Sequence, residues 1–117
     1  MVFLCYPKCS TCQKAQAWLE KNGISVTVRN IKEQNPDRKE LALWLEKSNL
    51  PLKRFFNTSG LLYKELKLKD RLPQMSREEQ LELLASDGML VKRPLLITEE
   101  QVLVGFREAQ WEALLQK

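Results

Sequence analysis

A strand, a helix and a second strand within the first 31 residues constrain the fold of this chain more than any other feature. Residues 2–6 form a short apolar run that is typical of a buried strand. Apolar side chains then recur at helical spacing from Ala15, which predicts a helix that begins at Ser10 and ends at Gly23. The β-branched alternation of residues 26–31 predicts another strand. Because a helix joins the two strands, we expect them to be parallel.

Two helix starts are predicted in the middle of the chain. Asn35-Pro36 places a good N-cap residue before a proline, which is favoured in the first helical turn. Ser76 and Glu79 have the spacing of a capping box, in which each side chain binds the backbone N–H of the other. The middle of the chain, after the second predicted strand, is therefore expected to be helical.

The last third of the chain returns to strands. Residues 95–98 and 102–105 predict an antiparallel hairpin, which is followed by a helix at about residues 108–116. The order β-α-β, helical block, β-β-α predicts an α/β protein, a thioredoxin-like sandwich with a mixed sheet. We expect a single domain of residues 1–117, in which residues 35–87 form a helical insertion.

Cys9-Ser10-Thr11-Cys12 lies where the first predicted strand passes into the first predicted helix. The unpaired N–H groups and the positive dipole at a helix N-terminus stabilise a thiolate, and Lys8 adds a positive charge. Cys12 follows by about one turn, so it can attack a mixed disulfide formed at Cys9. We therefore predict Cys9 as the nucleophile and Cys12 as the resolving thiol. Ser10 and Thr11 are predicted to donate hydrogen bonds to the Cys9 sulfur or to a bound oxyanion.

Other interpretations of the cysteines remain open. A half zinc site or an inert pair of core cysteines would also fit the spacing of Cys9 and Cys12, although zinc normally takes four ligands and the chain has no histidine. The absence of histidine also excludes Cys-His nucleophile pairs and Ser-His-Asp triads. Cys5 is either a small buried hydrophobe or a third redox thiol close to Cys9.

Arg93-Pro94 is the second candidate site segment. A proline is suited to the start of a strand, and in a thioredoxin-like sheet this turn faces the cysteine pair, where a cis peptide bond is expected. Arg93 could offer several N–H donors to an anionic substrate or a thiolate, against the alternative of a surface arginine. Arg107 is a weaker candidate of the same kind.

Composition bounds the location and the partners. The formal net charge of +4 favours anionic partners, but the basic residues are mixed with acidic ones, so direct nucleic-acid binding is not expected. No apolar run is long enough to span a bilayer, and a cytoplasmic protein without a bound cofactor or metal is expected. In that compartment three cysteines indicate catalysis, redox sensing or metal binding rather than structural disulfides.

With these residues in place, the chain resembles the arsenate reductase family, the ArsC and Spx-like branch of the thioredoxin superfamily. The matching segments run in family order and cover nearly the whole chain. They are Tyr6-Pro7-Lys8-Cys9-Ser10-Thr11-Cys12, Phe56-Asn57-Thr58-Ser59-Gly60, Asp87-Gly88-Met89-Leu90-Val91-Lys92-Arg93-Pro94 and Val104-Gly105-Phe106. The resemblance implies a thioredoxin-like fold with a helical insertion and Cys9 as the family nucleophile.

The resemblance also implies chemistry. Arsenate reductases of the family bind arsenate with three arginines, and glutathione, a thioredoxin or a glutaredoxin is implied as the electron donor. Arg93 matches one of these arginines, whereas Asn57 stands at another and Phe106 at the third, with Arg107 one place later. Cys5 stands where those enzymes carry a histidine. A pocket with fewer arginines would hold arsenate with fewer charge-assisted hydrogen bonds.

A second function is implied by the Spx-type regulators, which share the Cys9-Ser10-Thr11-Cys12 spacing and the Arg93-Pro94 pair. In those proteins the dithiol is a redox switch, and the RNA polymerase α subunit is the partner. The sequence thus leaves two hypotheses: a thiol-disulfide oxidoreductase, with an oxyanion such as arsenate as a candidate substrate, and a redox-switched regulator.

Overall fold

A mixed sheet forms the centre of the protein in a computed structural model, which describes residues 1–116. Its strands are β1 (Val2–Cys5), β2 (Thr27–Asn30), β3 (Leu95–Ile97) and β4 (Val102–Val104), and their spatial order is β2-β1-β3-β4. β1 is parallel to β2 and antiparallel to β3, and β3 is antiparallel to β4. The parallel pair and the hairpin expected from the sequence are therefore confirmed.

Helices cover both faces of this sheet. They are α1 (Ser10–Lys21), α2 (Arg38–Ser48), α3 (Leu61–Glu65), α4 (Leu68–Arg71), α5 (Arg77–Ser86) and α6 (Glu108–Glu112), the last continuing as a 3-10 turn over Ala113–Gln116. The α/β class, the mixed sheet and the β-α-β, helical, β-β-α order are thus confirmed, whereas the division into one domain with an insertion at 35–87 stays a prediction. Within residues 1–116, no helix combines the length and the apolar character that a membrane span requires.

The alternation of side chains along β1 builds a separate apolar cluster on each face of the sheet. Phe3 and Cys5 belong to a cluster with Trp18 of α1 and Trp111 of α6, while Leu4 belongs to the larger cluster of the helical block. The three tryptophans at positions 18, 44 and 111 are all buried. β1 is therefore packed on both of its faces, and α1 packs against one of them.

The predicted start of α2 at Asn35-Pro36 is wrong by two residues. Asp37 is the N-cap, and its carboxylate accepts a hydrogen bond of 2.8 Å from the backbone N–H of Glu40 in a complete capping box. The Asn35 side chain donates instead to the Ala85 carbonyl oxygen near the end of α5, at 2.6 Å. An aspartate two residues downstream thus provides the cap, and the amide stabilises a different helix end. The capping box predicted at residues 76–79 is confirmed.

Candidate functional site

A tight turn delivers Cys9 from β1 to the first turn of α1. The backbone N–H of Cys9 donates to the Tyr6 carbonyl oxygen at 2.9 Å, which makes Pro7 the second residue of the turn, a position that suits its fixed φ. Gln13 of α1 donates its side-chain amide to the Pro7 carbonyl oxygen at 2.9 Å and ties the helix to the turn. Cys9 is the N-cap of α1, with φ −85° and ψ 122°. Its sulfur is consequently held beside the unpaired N–H groups of a 12-residue helix.

Cys9 has the environment of a stabilised thiolate. Partial burial disfavours the charged form, but hydrogen bonds from the backbone N–H of Cys12, the Arg93 side chain, the Cys12 thiol and the backbone N–H of Thr11 outweigh it, so the pKa of Cys9 is lowered. These groups, rather than the exposed Lys8, account for the shift. Cys9 is half-buried, so a thiolate there stays accessible to a substrate.

Cys12 has the opposite environment. Its side chain is 2% exposed, and burial raises its pKa to about 12, with the negative charge of Cys9 and the hydrogen bond to it acting in the same direction. The Tyr6 backbone N–H donates to the Cys12 sulfur at 3.4 Å, which offsets part of the burial. The pair thus combines a cysteine whose thiolate form is favoured with a cysteine, one turn away, whose protonated form is favoured.

Cys5 is both buried and close to the dithiol. It is 3% exposed at the end of β1, and burial and the negative charge of Cys9 both raise its pKa. The interpretation as a small buried residue is therefore confirmed, whereas a redox role for this thiol stays a prediction. All three cysteines are free thiols in the structure. In the part of the chain that the structure describes, no three histidine, cysteine or carboxylate side chains form a cluster able to hold a metal ion.

Arg93 reaches the dithiol from a distant part of the chain. Its side chain donates a hydrogen bond to Cys9, and its guanidinium carbon lies 5.2 Å from the centre of the Tyr6 ring. Its Nε and Nη1 are buried and have no hydrogen-bond partner among the described residues. Unpaired buried donors are costly, so they indicate a position prepared for an anionic ligand.

Backbone pairing fixes Arg93 in place. Phe56 and Val91 form an isolated antiparallel bridge, and the Lys92 N–H donates to the Phe55 carbonyl oxygen at 2.7 Å, which brings residues 55–57 beside the approach to Arg93. The Arg93-Pro94 peptide bond is cis, as expected from the sequence. β3 begins at the next residue, so Arg93 and the dithiol lie at the same end of the sheet.

Arg93 lies between two cavities of different charge. The first, here called the cationic cavity, has a volume of about 250 Å³ and is lined by Thr11, Arg54, Lys92, Arg93, Arg107 and the strip Val104–Phe106. The second has a volume of about 450 Å³ and includes Asn57 together with the carboxylates of Glu65 and Asp87. The first cavity therefore suits an anion better than the second, in which two carboxylates accompany Arg93.

The structure places some of the predicted site residues at the cationic cavity and others outside it. Thr11 lines the cationic cavity and supports Cys9 through its backbone N–H, whereas Ser10 is exposed and contributes no hydrogen bond to that sulfur. Arg107 also lines this cavity, while Asn57 faces the other. Their roles in substrate binding stay predictions.

Sequence analysis missed Arg54 as a candidate. It lies in the 3-10 turn Leu52–Phe55, ahead of the family-like segment that begins at Phe56, and no local pattern distinguishes it from other surface arginines. Lys92 lies next to Arg93 in the chain, but no local pattern distinguishes it from other surface lysines either. Arg54 and Lys92 are brought together by the backbone pairing between residues 55–57 and 90–92, which is a tertiary feature.

Comparison with known proteins places this geometry in a family. The model of the ArsC family matches residues 4–114. The uncharacterised protein YusI of Bacillus subtilis is 56% identical over 112 residues, which are 96% of this chain and 95% of YusI. An ArsC family related protein from Bacteroides fragilis has a structure with a TM-score of 0.94 and 57% identity, covering 97% of this chain and 95% of that one. The structure of a Streptococcus mutans protein described as a possible arsenate reductase has a TM-score of 0.88 and 47% identity, covering 96% and 95%.

More distant relatives are named as regulators. The regulatory protein MgsR of Bacillus subtilis is 27% identical over 117 residues, which are 100% of this chain and 91% of MgsR. The global transcriptional regulator Spx of Enterococcus faecalis is 29% identical over 102 residues, which are 87% of this chain and 76% of Spx. Because the family model spans nearly the whole chain and agrees with the fold and with relatives above 45% identity, this protein belongs to the ArsC family.

Proposed function

We propose that this chain is a thiol-disulfide oxidoreductase in which Cys9 is the nucleophile and Cys12 is the resolving thiol. The observation that carries the proposal is the contrast between the two environments: Cys9 is half-buried at the N-cap of α1, whereas Cys12 is buried one turn further on. These environments lower the pKa of Cys9 and raise the pKa of Cys12 to about 12. A thiolate is the attacking species in disulfide exchange, so attack begins at Cys9. Burial of Cys12 keeps it out of the first step.

The second step follows from the spacing of the pair. After Cys9 has formed a mixed disulfide, its negative charge is gone, and with it the repulsion and the hydrogen bond that raise the pKa of Cys12. Cys12 then loses its proton more easily and attacks the Cys9 sulfur. The substrate leaves in its reduced form, and a Cys9–Cys12 disulfide remains. Glutathione, a thioredoxin or a glutaredoxin is proposed as the donor that reduces this disulfide again.

Kinetics with single-cysteine variants test this proposal. Turnover of a small disulfide, with the protein recycled by a thiol donor, should be lost in Cys9→Ser. In Cys12→Ser the first attack should persist while turnover stops at the mixed disulfide. Cys5→Ala serves as the matched control because it changes a cysteine that the mechanism does not use. Full turnover by Cys9→Ser, or none by the wild type with any donor, contradicts the proposal.

An oxyanion such as arsenate is a candidate substrate of the same site. The unpaired buried donors of Arg93 and the cationic cavity favour an anion beside Cys9. Asn57 lies in the other cavity and brings no charge, so we expect arsenate turnover to be weak. Arsenate reduction with glutathione and glutaredoxin measures this directly, and turnover as fast as that of small disulfides contradicts the expectation.

A redox-switched regulator is the second candidate function, because a regulatory protein and a global transcriptional regulator align with 87% or more of the chain. In this case the Cys9–Cys12 dithiol would sense oxidation, and the RNA polymerase α subunit would be the partner. Pull-down with the α C-terminal domain should then depend on the oxidation state of the dithiol. Absence of binding in both oxidation states contradicts this function.

A further inference from the structure

The cationic cavity contains more positive charge than Arg93 alone supplies. Arg54, Lys92 and Arg107 also line it, and its described lining includes no carboxylate. None of these three side chains forms an ion pair with a carboxylate in the described part of the chain. Such a concentration of uncompensated cations creates a positive potential that attracts anionic ligands.

These cations are held on fixed segments on either side of the cavity. The Lys92 N–H is bonded to the Phe55 carbonyl oxygen, next to Arg54. A Cβ placed on Gly105 would lie 3.4 Å from Lys92 Cε, so the lysine stem runs close to the backbone at the end of β4. Arg107 is two residues further along and is the N-cap of α6. The charges are thus arranged around one volume by the fold.

The cavity is connected to the reactive sulfur through Arg93. This side chain lines the cavity and also donates a hydrogen bond to Cys9. A ligand seated in the cavity therefore lies on the side from which Arg93 approaches the thiolate. The volume of about 250 Å³ is just below the ~300–1,000 Å³ typical of pockets for drug-sized ligands, which suits a small organic anion.

We propose that Arg54, Lys92 and Arg107 form a subsite for the carboxylates of a low-molecular-weight disulfide that Cys9 reduces. The inference rests on the proposed function, since it names the substrate class of that dithiol. Guanidinium and ammonium groups bind carboxylates by charge-assisted hydrogen bonds. A carboxylate bound at this subsite also neutralises part of the positive charge of the three side chains. It continues to do so while the negative charge of the Cys9 thiolate passes to the leaving sulfur of the substrate.

The reaction is balanced within the dithiol and the disulfide RSSR. The Cys9 thiolate attacks one sulfur of RSSR, the S–S bond breaks, and one RS⁻ leaves. Cys12 gives its proton to that RS⁻ and attacks the Cys9 sulfur, so the mixed disulfide breaks and the second RS⁻ leaves and takes a proton from water. RSSR gains two electrons and becomes two thiols, while Cys9 and Cys12 lose two electrons and form one disulfide.

Three disulfides of similar size and different charge test the subsite: dithiodiglycolate, bis(2-hydroxyethyl) disulfide and cystamine. The rate of each with the reduced wild-type protein is divided by its rate with a small neutral thiol, which removes differences in intrinsic reactivity. We expect the normalised rates to fall in the order anionic, neutral, cationic. The difference should shrink as salt is added, because exposed charges are then screened.

Single-residue variants distinguish binding at the subsite from a general attraction of anions to the positively charged protein. Arg54→Ala, Lys92→Ala and Arg107→Ala should each lower the normalised dithiodiglycolate rate by about two- to fivefold at low ionic strength, and leave the neutral disulfide unchanged. Lys14→Ala removes the same charge from the exposed face of α1 outside the cavity and is the matched control. Arg54→Lys retains the charge and should keep the preference.

The outcomes distinguish the two proposals. Equal normalised rates for the three disulfides, or a preference that survives removal of all three cavity cations, overturns the subsite and leaves the oxidoreductase intact. A loss as large in Lys14→Ala as in the cavity variants likewise overturns it. If none of the disulfides reacts at Cys9, the proposed function fails, and the subsite fails with it.

Discussion

At the scale of single residues, Arg93 and the N-terminus of α1 both stabilise the Cys9 thiolate. The backbone N–H groups of Cys12 and Thr11 come with the helix and need no particular side chain, whereas the Arg93 hydrogen bond depends on one guanidinium. The same guanidinium packs on Tyr6 and keeps two buried donors free. Its removal is therefore expected to change reactivity more than folding.

Replacement of Arg93 by alanine should raise the pKa of Cys9. A hydrogen bond to a charged group stabilises the charge, so its loss should move the titration of Cys9 to higher pH. The pH dependence of Cys9 alkylation by iodoacetamide, resolved by mass spectrometry, measures it. Arg93→Lys should retain part of the effect, and Arg54→Ala should retain all of it. An unchanged Cys9 titration in Arg93→Ala would refute this role.

The raised pKa of Cys12 should weaken the fold in alkali. The unfolded chain loses the Cys12 proton near the ordinary value of 9.0, whereas the folded protein keeps it until about pH 12. Between these values the free energy of unfolding falls with pH, by up to about 1.4 kcal/mol per unit from this group. Urea unfolding at pH 8, 9 and 10 should show a shallower fall in Cys12→Ala than in the wild type. Equal slopes would contradict the buried, protonated state.

The lowered pKa of Cys9 has the opposite effect on the free energy of unfolding, which rises with pH on account of this group. The folded state releases the Cys9 proton at a lower pH than the unfolded chain does, so this group adds stability as pH rises from its folded pKa to its ordinary value. Its contribution is absent in acid. The two cysteines therefore change the free energy of unfolding in different pH ranges. Cys9 does so below the ordinary pKa of a cysteine, and Cys12 does so above it.

At the scale of elements, the parts of the site that lie close together in the chain were predictable. The period of apolar residues located α1, and the position of Cys9 before it follows from that boundary. The start of α2 was misplaced because Asn35 and Asp37 are both good caps, and only tertiary contact shows that Asn35 serves the end of α5. Arg54 and Lys92 meet through backbone pairing over a long separation, which no local pattern encodes.

Gly88 marks another close approach between elements. A Cβ on this residue would overlap the backbone carbonyl oxygen of Ile31, just beyond β2, and a backbone group cannot move aside cheaply. Gly88→Ala should therefore destabilise the protein by about 1–3 kcal/mol in urea unfolding. Gly60→Ala is the control, because the nearest contact of its Cβ is the Asn57 side-chain amide, which can rotate. A larger loss in the control than in Gly88→Ala would refute the steric argument.

At the scale of the whole molecule, the sheet brings together segments from four parts of the chain. Thr11, Arg54, Lys92 and Arg107 are distant in sequence and line one cavity. The fold class could be predicted because strand and helix periods repeat in a familiar order, and the order limits the topology. The charge of the cavity could not, since it depends on which surface side chains the folded chain turns toward one volume.

Trapping of the mixed disulfide tests the central claim most directly. Reduced Cys12→Ser is mixed with a small disulfide, and the modified cysteine is identified by mass spectrometry. The account predicts a stable adduct at Cys9 in this variant, a Cys9–Cys12 disulfide in the wild type, and no adduct at Cys12 in Cys9→Ser, where the Cys12 thiol is still buried. An adduct that forms at Cys12 or Cys5 as fast as at Cys9 would contradict the assignment of nucleophile and resolving thiol.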